Sequence, residues 1–183
     1  FIQGAFAQCL SKDVVNDIVN NPSRLKLGGE SREMTALFTD IQKFSGFSEL
    51  MNADELVALL NFYLTPMSDI IMSEGGMVDK YEGDAIVALV GAPLKMEDHA
   101  SRACRAAIKM KKREKEMNDQ IVSYSISDAT DIPENLRSAF KKLTSNNRRI
   151  FTRIGINSGE MVAGFMGSEN KKNYTMMGNN VNL

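Results

Sequence analysis

The spacing of apolar positions along the chain predicts a strand followed by a long helix. The stretch "MTALFTD", Met34–Asp40, has the composition of a strand. Asn52 then serves as a helix N-cap with Glu55 three residues later, as in a capping box. Gly75 and Gly76 end the helix, and Pro66 is expected to kink it. Its buried stripe is expected at Leu56, Leu59, Leu60, Tyr63, Met67, Ile70 and Ile71.

Two short apolar strands come next, at roughly 77–82 and 84–90, and the tight turn between them predicts a hairpin. Residues 96–118 are rich in Ala and Lys and predict a second long helix. Residues 119–148 have weak periodicity, apart from a short helical piece within "PENLRSAFKKL". We interpret 119–148 as an insertion, and a regulatory flap and a disordered surface loop are both open for it.

The last third of the chain predicts further strands. The stretch "IFTRIGINSGEMVAGFMG" is expected to form a strand pair or a bent strand, and "NYTMMGNNVN" begins another strand. The order is therefore strand, helix, strand, strand, helix, strand, strand. This order is typical of an α+β, ferredoxin-like (split βαβ) fold, with a mostly antiparallel sheet and helices packed on one face.

The two ends of the chain have the character of cuts. The chain starts at Phe1 without Met and stops within an apparent element, so we expect a domain truncated at its C-terminus. Residues 1–31 are interpreted as a lead-in helix, at 11–20, and a connector from an upstream region. Residues 32–183 are interpreted as the domain itself.

Composition narrows the class of protein. The chain has 183 residues, is 43% apolar and 25% charged, and carries a formal net charge of −1. This balance gives no general attraction to nucleic acid or to an anionic membrane, so no nucleic-acid partner is expected. Two distant cysteines fit a reducing compartment. No apolar run approaches the ~20 residues of a spanning helix. A soluble domain on the cytoplasmic side is expected, and membrane anchoring of the whole protein stays open.

Two aspartates are the first candidates for chemistry. Asp40 ends the first strand and Asp84 lies in the hairpin turn, and the split βαβ order places these strands side by side. Each aspartate alone fits an ordinary role, as a helix cap or a turn residue. Together they repel each other unless a cation lies between them or one is protonated. Oxygen ligands without His or Cys favour Mg²⁺ or Mn²⁺.

The loop after Asp40, "IQKFSGFS", leads into a helix. Its free backbone N–H groups, around Phe44 and Ser45, are candidates for binding a polyphosphate. A metal site next to a polyphosphate site predicts a nucleotide site.

Five motifs in this chain, in the same order, resemble the class III nucleotide cyclase catalytic domain. They are "LFTDIQKFS", "GGMVDKYEGDAIVALVGAP", "DHASRACRAA", "RIGINSGEMVAGFMGS" and "YTMMGNNVNL". The resemblance runs from about Arg32 to Leu183. It implies that Asp40, Asp84 and the backbone carbonyl of Ile41 bind two Mg²⁺ or Mn²⁺ ions. One ion would activate the ribose 3′-hydroxyl, and the other would hold the triphosphate and offset charge on pyrophosphate.

The same resemblance assigns the nucleotide contacts. Lys80 and Thr175 match the two positions that recognise the purine, and Asn182 matches the asparagine that orients the ribose. Without the resemblance these would be an exposed strand residue, a β-former and a turn residue. Lysine with threonine favours ATP over GTP, which implies an adenylate cyclase. A guanylate cyclase, a degenerate regulatory module and a diguanylate-cyclase-like relative are the alternatives.

The resemblance also implies partners and departures. The family's sites form between two subunits, which implies a homodimer, and an upstream sensor domain is expected in the full-length protein. The family's catalytic arginine would lie beyond Leu183, so the isolated fragment is expected to be inactive. Lys43 stands where the family usually has Gly, in the turn expected to cradle phosphates.

Overall fold

The computed structural model describes residues 28–126, 131–168 and 171–182. The expected lead-in helix at 11–20 lies outside the described residues. The described elements are β1 (Gly28–Ile41), α1 (Ser45–Ser48), α2 (Ala53–Ser73), β2 (Met77–Glu82), β3 (Ala85–Val90), α3 (His99–Ile126), α4 (Glu134–Ser145), β4 (Thr152–Ser168), β5 (Lys171–Met177) and a 3₁₀ turn (Asn179–Val181).

The strands form one sheet in the order β2-β3-β1-β4-β5, and every neighbouring pair is antiparallel. The central β1 therefore lies between the hairpin strand β3 and the later strand β4. This is the split βαβ arrangement, and the predicted α+β fold class is confirmed.

Two strands are longer than the sequence predicted. β1 begins at Gly28 instead of Met34, and β4 is a single strand of 17 residues instead of a strand pair or a bent strand. The reason is their mutual pairing, which keeps one register from Gly28↔Phe165 to Ile41↔Thr152. Each long strand satisfies the backbone hydrogen bonds of the other, so polar residues do not end either one.

The first long helix, α2, is capped as expected. The side chain of Asn52 accepts a hydrogen bond from the Glu55 N–H at 2.9 Å, and the Glu55 carboxylate accepts from the Asn52 N–H at 2.8 Å. The helix continues through Pro66 to Ser73, and Gly75 follows with φ +80°.

By length and composition alone, α2 is apolar enough to cross a membrane, contrary to the sequence expectation for the part of the chain described here. Its residues Leu59, Tyr63, Met67 and Ile71 are fully buried in the protein core. These four residues form the face of α2 that packs into the core.

The segment interpreted as an insertion differs from both of its open alternatives. Residues 119–126 continue α3, and α4 occupies 134–145. Ala139, Phe140 and Leu143 of α4 have no exposed surface and belong to the main hydrophobic core. The helical parts of 119–148 are thus neither a loop nor a flap, because a short apolar stripe in a polar sequence is sufficient to pack α4 against α2 and α3.

Two separate hydrophobic clusters lie on the two faces of the sheet. The larger contains the buried side chains of α2, α3 and α4, so the helices lie on one face. The smaller is built almost entirely from strands and includes Met77 of β2 and Met176 of β5. Those two strands are opposite edges of the sheet by hydrogen-bond order. The sheet therefore curls around the smaller cluster until its edges approach each other.

Candidate functional site

Asp84 lies in the two-residue turn between β2 and β3, after Gly83 with φ +64°. Glycine at the first position of such a turn takes the positive φ without strain. The Oδ2 atom of Asp84 accepts a hydrogen bond from the backbone N–H of Ile41 at 2.7 Å. The structure thus places the Asp84 carboxylate at the end of β1, one residue from Asp40.

Asp40 forms an ion pair that the sequence did not predict. It lies opposite Arg153 in the β1–β4 ladder. The Arg153 Nε donates to Asp40 Oδ1 at 2.6 Å, and Nη2 donates to Oδ2 at 2.5 Å. The charge of Asp40 raises the pKa of Arg153 through these hydrogen bonds. Both carboxylate oxygens therefore have a cationic partner in this bidentate pair.

The donor set at the end of β1 fits a divalent metal that also binds a substrate phosphate. Asp40 and Asp84 offer hard oxygen atoms, and the carbonyl oxygen of Ile41, the residue after Asp40, is a further hard donor. Mg²⁺ commonly uses one or two carboxylates and takes its other ligands from water and phosphates. Among the described residues no cluster of three or more His, Cys, Asp or Glu side chains could hold a metal alone. The fit is thus to a metal–nucleotide complex and not to a closed protein site.

The turn after β1 is compact. The Phe44 N–H donates to the Ile41 carbonyl at 3.2 Å, and the Gly46 N–H donates to the Lys43 carbonyl at 3.0 Å. Lys43 has φ +58°, a conformation that glycine adopts without strain, so glycine suits this position. The Lys43 side chain itself is exposed. Phe44 is partly buried with its ring 6.2 Å from that of Phe47, whereas Ser45 is exposed at the start of α1. The polyphosphate role of Phe44 and Ser45 stays a prediction.

Three of the residues assigned to the nucleotide line one cleft. Lys80 comes from β2, Thr175 from β5 and Asn182 from the end of the 3₁₀ turn, and together with Phe38 and Val87 they enclose about 510 Å³. The curl of the sheet produces this cleft, because β2 and β5 would otherwise lie at opposite edges. Asp40 and Asp84 are not among its lining residues.

Asp79 is a cleft residue that sequence reasoning missed. Its side chain is only 2% exposed, and its Oδ2 accepts a hydrogen bond from Thr175 Oγ1 at 2.6 Å. Lys80 Nζ lies 3.8 Å from the same oxygen. Burial raises the pKa of Asp79 above its usual range, and the Thr175 hydrogen bond and the Lys80 charge offset this rise only in part. The signal in the sequence was an acidic residue directly before Lys80, in the strand that precedes the Asp84 turn.

The curled antiparallel sheet, the paired aspartates and the separate cleft define an α+β domain of the kind that the motifs suggested. Comparison with known proteins agrees: residues 29–183 match the family described as the adenylate and guanylate cyclase catalytic domain. The chain belongs to this family.

Two curated relatives are named as adenylate cyclases. Adenylate cyclase 1 of Rhizobium meliloti is 32% identical over 152 residues, which cover 83% of this chain and 20% of that protein. Adenylate cyclase of Anabaena cylindrica is 32% identical over 160 residues, 87% of this chain and 28% of that protein. The chain thus spans between a fifth and a third of the length of these curated relatives.

Solved structures of both adenylyl and guanylyl cyclases match the chain. The adenylyl cyclase CyaB from P. aeruginosa matches with a TM-score of 0.70 and 29% identity, covering 85% of this chain and 70% of that one. The guanylyl cyclase Cya2 matches with a TM-score of 0.68 and 33% identity, covering 85% and 68%. Similarity alone therefore leaves the choice between ATP and GTP to the residues of the cleft.

Proposed function

We propose that this chain is the catalytic domain of an adenylate cyclase, which converts ATP to 3′,5′-cyclic AMP and pyrophosphate for intracellular signalling. One observation carries the choice of substrate: Lys80 and Thr175 meet in one cleft, next to the same carboxylate oxygen of Asp79. A lysine ammonium only donates hydrogen bonds, and adenine N1 is an acceptor. Guanine N1 carries a hydrogen and would face Lys80 donor to donor.

The second base contact supports the same choice. The Thr175 hydroxyl accepts from the exocyclic amino group of adenine. Asn182 lines the same cleft and is assigned to the ribose. Phe44 and Ser45, in the turn after β1, are assigned to the phosphates through their backbone N–H groups. The Phe44 N–H would have to exchange its hydrogen bond to the Ile41 carbonyl for one to a phosphate oxygen.

In the reaction the ribose 3′-oxygen attacks the α-phosphorus. The bond from that phosphorus to the oxygen bridging to the β-phosphate breaks, pyrophosphate leaves, and the 3′-hydroxyl proton passes to solvent. Asp40, Asp84 and the Ile41 carbonyl would hold two Mg²⁺ or Mn²⁺ ions, which lower the pKa of the hydroxyl and neutralise phosphate charge. The Ile41 N–H holds the Asp84 carboxylate in position for this role. Arg153 must break at least one of its two hydrogen bonds to Asp40 so that a carboxylate oxygen can bind a metal ion.

We assign the active sites to the interface of a homodimer. The cleft of one chain contains Lys80, Thr175 and Asn182 but neither Asp40 nor Asp84. A second copy, related by two-fold symmetry, would bring its aspartates to this cleft and complete two equivalent sites. The much greater length of the curated relatives supports a further expectation, that an upstream sensor domain controls this dimer.

The test gives the whole protein that carries this domain either ATP or GTP with Mn²⁺ and separates the cyclic products by chromatography. Cyclic AMP is expected to dominate, and Asp40→Asn is expected to abolish it, whereas Asp54→Asn, an exposed aspartate on α2, leaves it unchanged. Dominant cyclic GMP would instead support the guanylate cyclase alternative, which the likeness to Cya2 favours. No cyclic product from a folded protein would support a regulatory module.

A further inference from the structure

Asp79 occupies an irregular position in β2. The pairing of β2 with β3 passes from Val78↔Ala88 directly to Lys80↔Val87, so Asp79 is the extra residue of a β-bulge. In a regular strand, neighbouring side chains point to opposite faces. The bulge removes that alternation, and Asp79 and Lys80 both line the cleft.

The contacts of the Asp79 carboxylate connect both base-recognition residues. Its Oδ2 accepts the Thr175 hydroxyl at 2.6 Å and lies 3.8 Å from Lys80 Nζ. Its Oδ1 is buried and has no hydrogen-bond partner among the described residues. A carboxylate that is 2% exposed and only half satisfied is costly to keep for stability alone.

We infer that Asp79 is a specificity-determining positioning residue, which selects adenine by fixing Thr175 as a hydrogen-bond acceptor. This inference rests on the proposed adenylate cyclase function and names the residue behind its substrate choice. A hydroxyl has one proton and two lone pairs. Because Thr175 donates its proton to Asp79, its oxygen can offer only lone pairs to a base in the cleft.

The polarity of the two base contacts then discriminates between the purines. Adenine presents an amino donor to the Thr175 acceptor and the N1 acceptor to the Lys80 donor. Guanine presents a carbonyl acceptor and an N1–H donor at the corresponding positions, so both contacts would be mismatched. A buried polar group left without a partner is the strongest source of such discrimination.

The substitution Asp79→Leu tests this directly, because leucine has nearly the same shape and cannot accept a hydrogen bond. Without an acceptor at position 79, the Thr175 hydroxyl proton is free to point at a guanine carbonyl. The ratio of kcat/KM for ATP to that for GTP is expected to fall roughly 10- to 100-fold in the whole protein. Asp79→Asn, which removes the charge but keeps an acceptor oxygen for Thr175, is expected to give a smaller fall.

Two controls separate this role from a general effect of charge or stability. Glu82→Gln removes an equal charge from the same cleft and is expected to leave the ratio within about twofold of wild type. In a Thr175→Val background there is no hydroxyl to orient, so Asp79→Leu is expected to have no further effect on the ratio. Melting temperatures verify that each variant is folded.

An unchanged ratio in Asp79→Leu, or an equal fall with and without the Thr175 hydroxyl, overturns the inference. If turnover is too low, the ratio of dissociation constants for ATP and GTP, measured calorimetrically with Ca²⁺, decides in the same way. A wild-type protein that prefers GTP refutes the proposed function itself. A wild-type protein that prefers ATP, together with an unchanged ratio in Asp79→Leu, refutes only the role of Asp79.

Discussion

Truncating Phe140 to alanine is expected to destabilise the domain by about 3–5 kcal/mol. The ring of Phe140 has no exposed surface. It packs edge-to-face on Phe62 of α2, with the ring centroids 5.0 Å apart, and lies 6.4 Å from the ring of Tyr124 on α3. The substitution therefore removes a side chain that joins three helices, and the expected loss is a large part of the ~5–15 kcal/mol that stabilises a typical domain.

A thermal melt followed by circular dichroism measures this loss. For a domain of this size, about 1 kcal/mol corresponds to a shift of about 2–4 °C, so a decrease of roughly 6–20 °C is expected. Lys141→Ala, the exposed neighbour on the same helix, is the matched control and is expected to stay within about 0.5 kcal/mol of wild type. Equal melting temperatures for the two variants would show that α4 is a peripheral flap after all.

Three further predictions follow from other parts of the structure. A Cβ at Gly164 would lie 2.2 Å from a backbone carbonyl of β1, whereas one at Gly155 would meet nothing within 4 Å. Gly164→Ala should therefore lose about 1–3 kcal/mol of stability in urea melts. Equal midpoints for Gly164→Ala and Gly155→Ala would contradict the close pairing of β1 with β4. Hydrogen bonds, chiefly from a lysine of α4, lower the pKa of Glu55 from 4.5 to about 2. The ionised Glu55 carboxylate therefore stabilises the folded domain fully above pH 4.5, and this stabilisation is lost as the pH falls toward 2. If the melting temperatures of Glu55→Gln and wild type changed in parallel over this pH range, the prediction would be refuted. Asp40→Ala and Lys80→Ala, each inactive, should together recover about a quarter of wild-type cyclase activity in mixed dimers, and a silent mixture that still dimerises would exclude shared sites.

The elements with strong local signals could be predicted from the sequence. The capping box of α2 needs only Asn52 and Glu55 at a spacing of three, and the structure contains both of its hydrogen bonds. The apolar stripe of the same helix follows the 3.6-residue period, and Leu59, Tyr63 and Met67 are fully buried as expected. Short-range pattern is sufficient here because the interactions that form these features lie within one or two turns of helix.

The role of α4 could not be predicted in the same way. Its apolar residues Leu136, Ala139, Phe140 and Leu143 form a narrow stripe among charged residues. Such a stripe is equally compatible with a surface helix. What places it in the core is the groove between α2 and α3, and also the buried Glu55 on α2, which accepts hydrogen bonds from Ser138 and Lys142 of α4 at 2.6 Å each. Those contacts join residues more than eighty positions apart.

The geometry of the cleft shows the same limit at the functional site. Strict alternation along β2 would place Asp79 on the face of Met77 and turn Lys80 to the other face. Two long-range features bring both to the cleft with Thr175: a bulge that exists only in pairing with β3, and a curl that brings together the two edges of the sheet. The hydrogen bond from Thr175 to Asp79 spans 96 positions of sequence. A motif can therefore name Lys80 and Thr175 one at a time, but the polarity with which they meet a base depends on Asp79, whose position is set by the folded sheet.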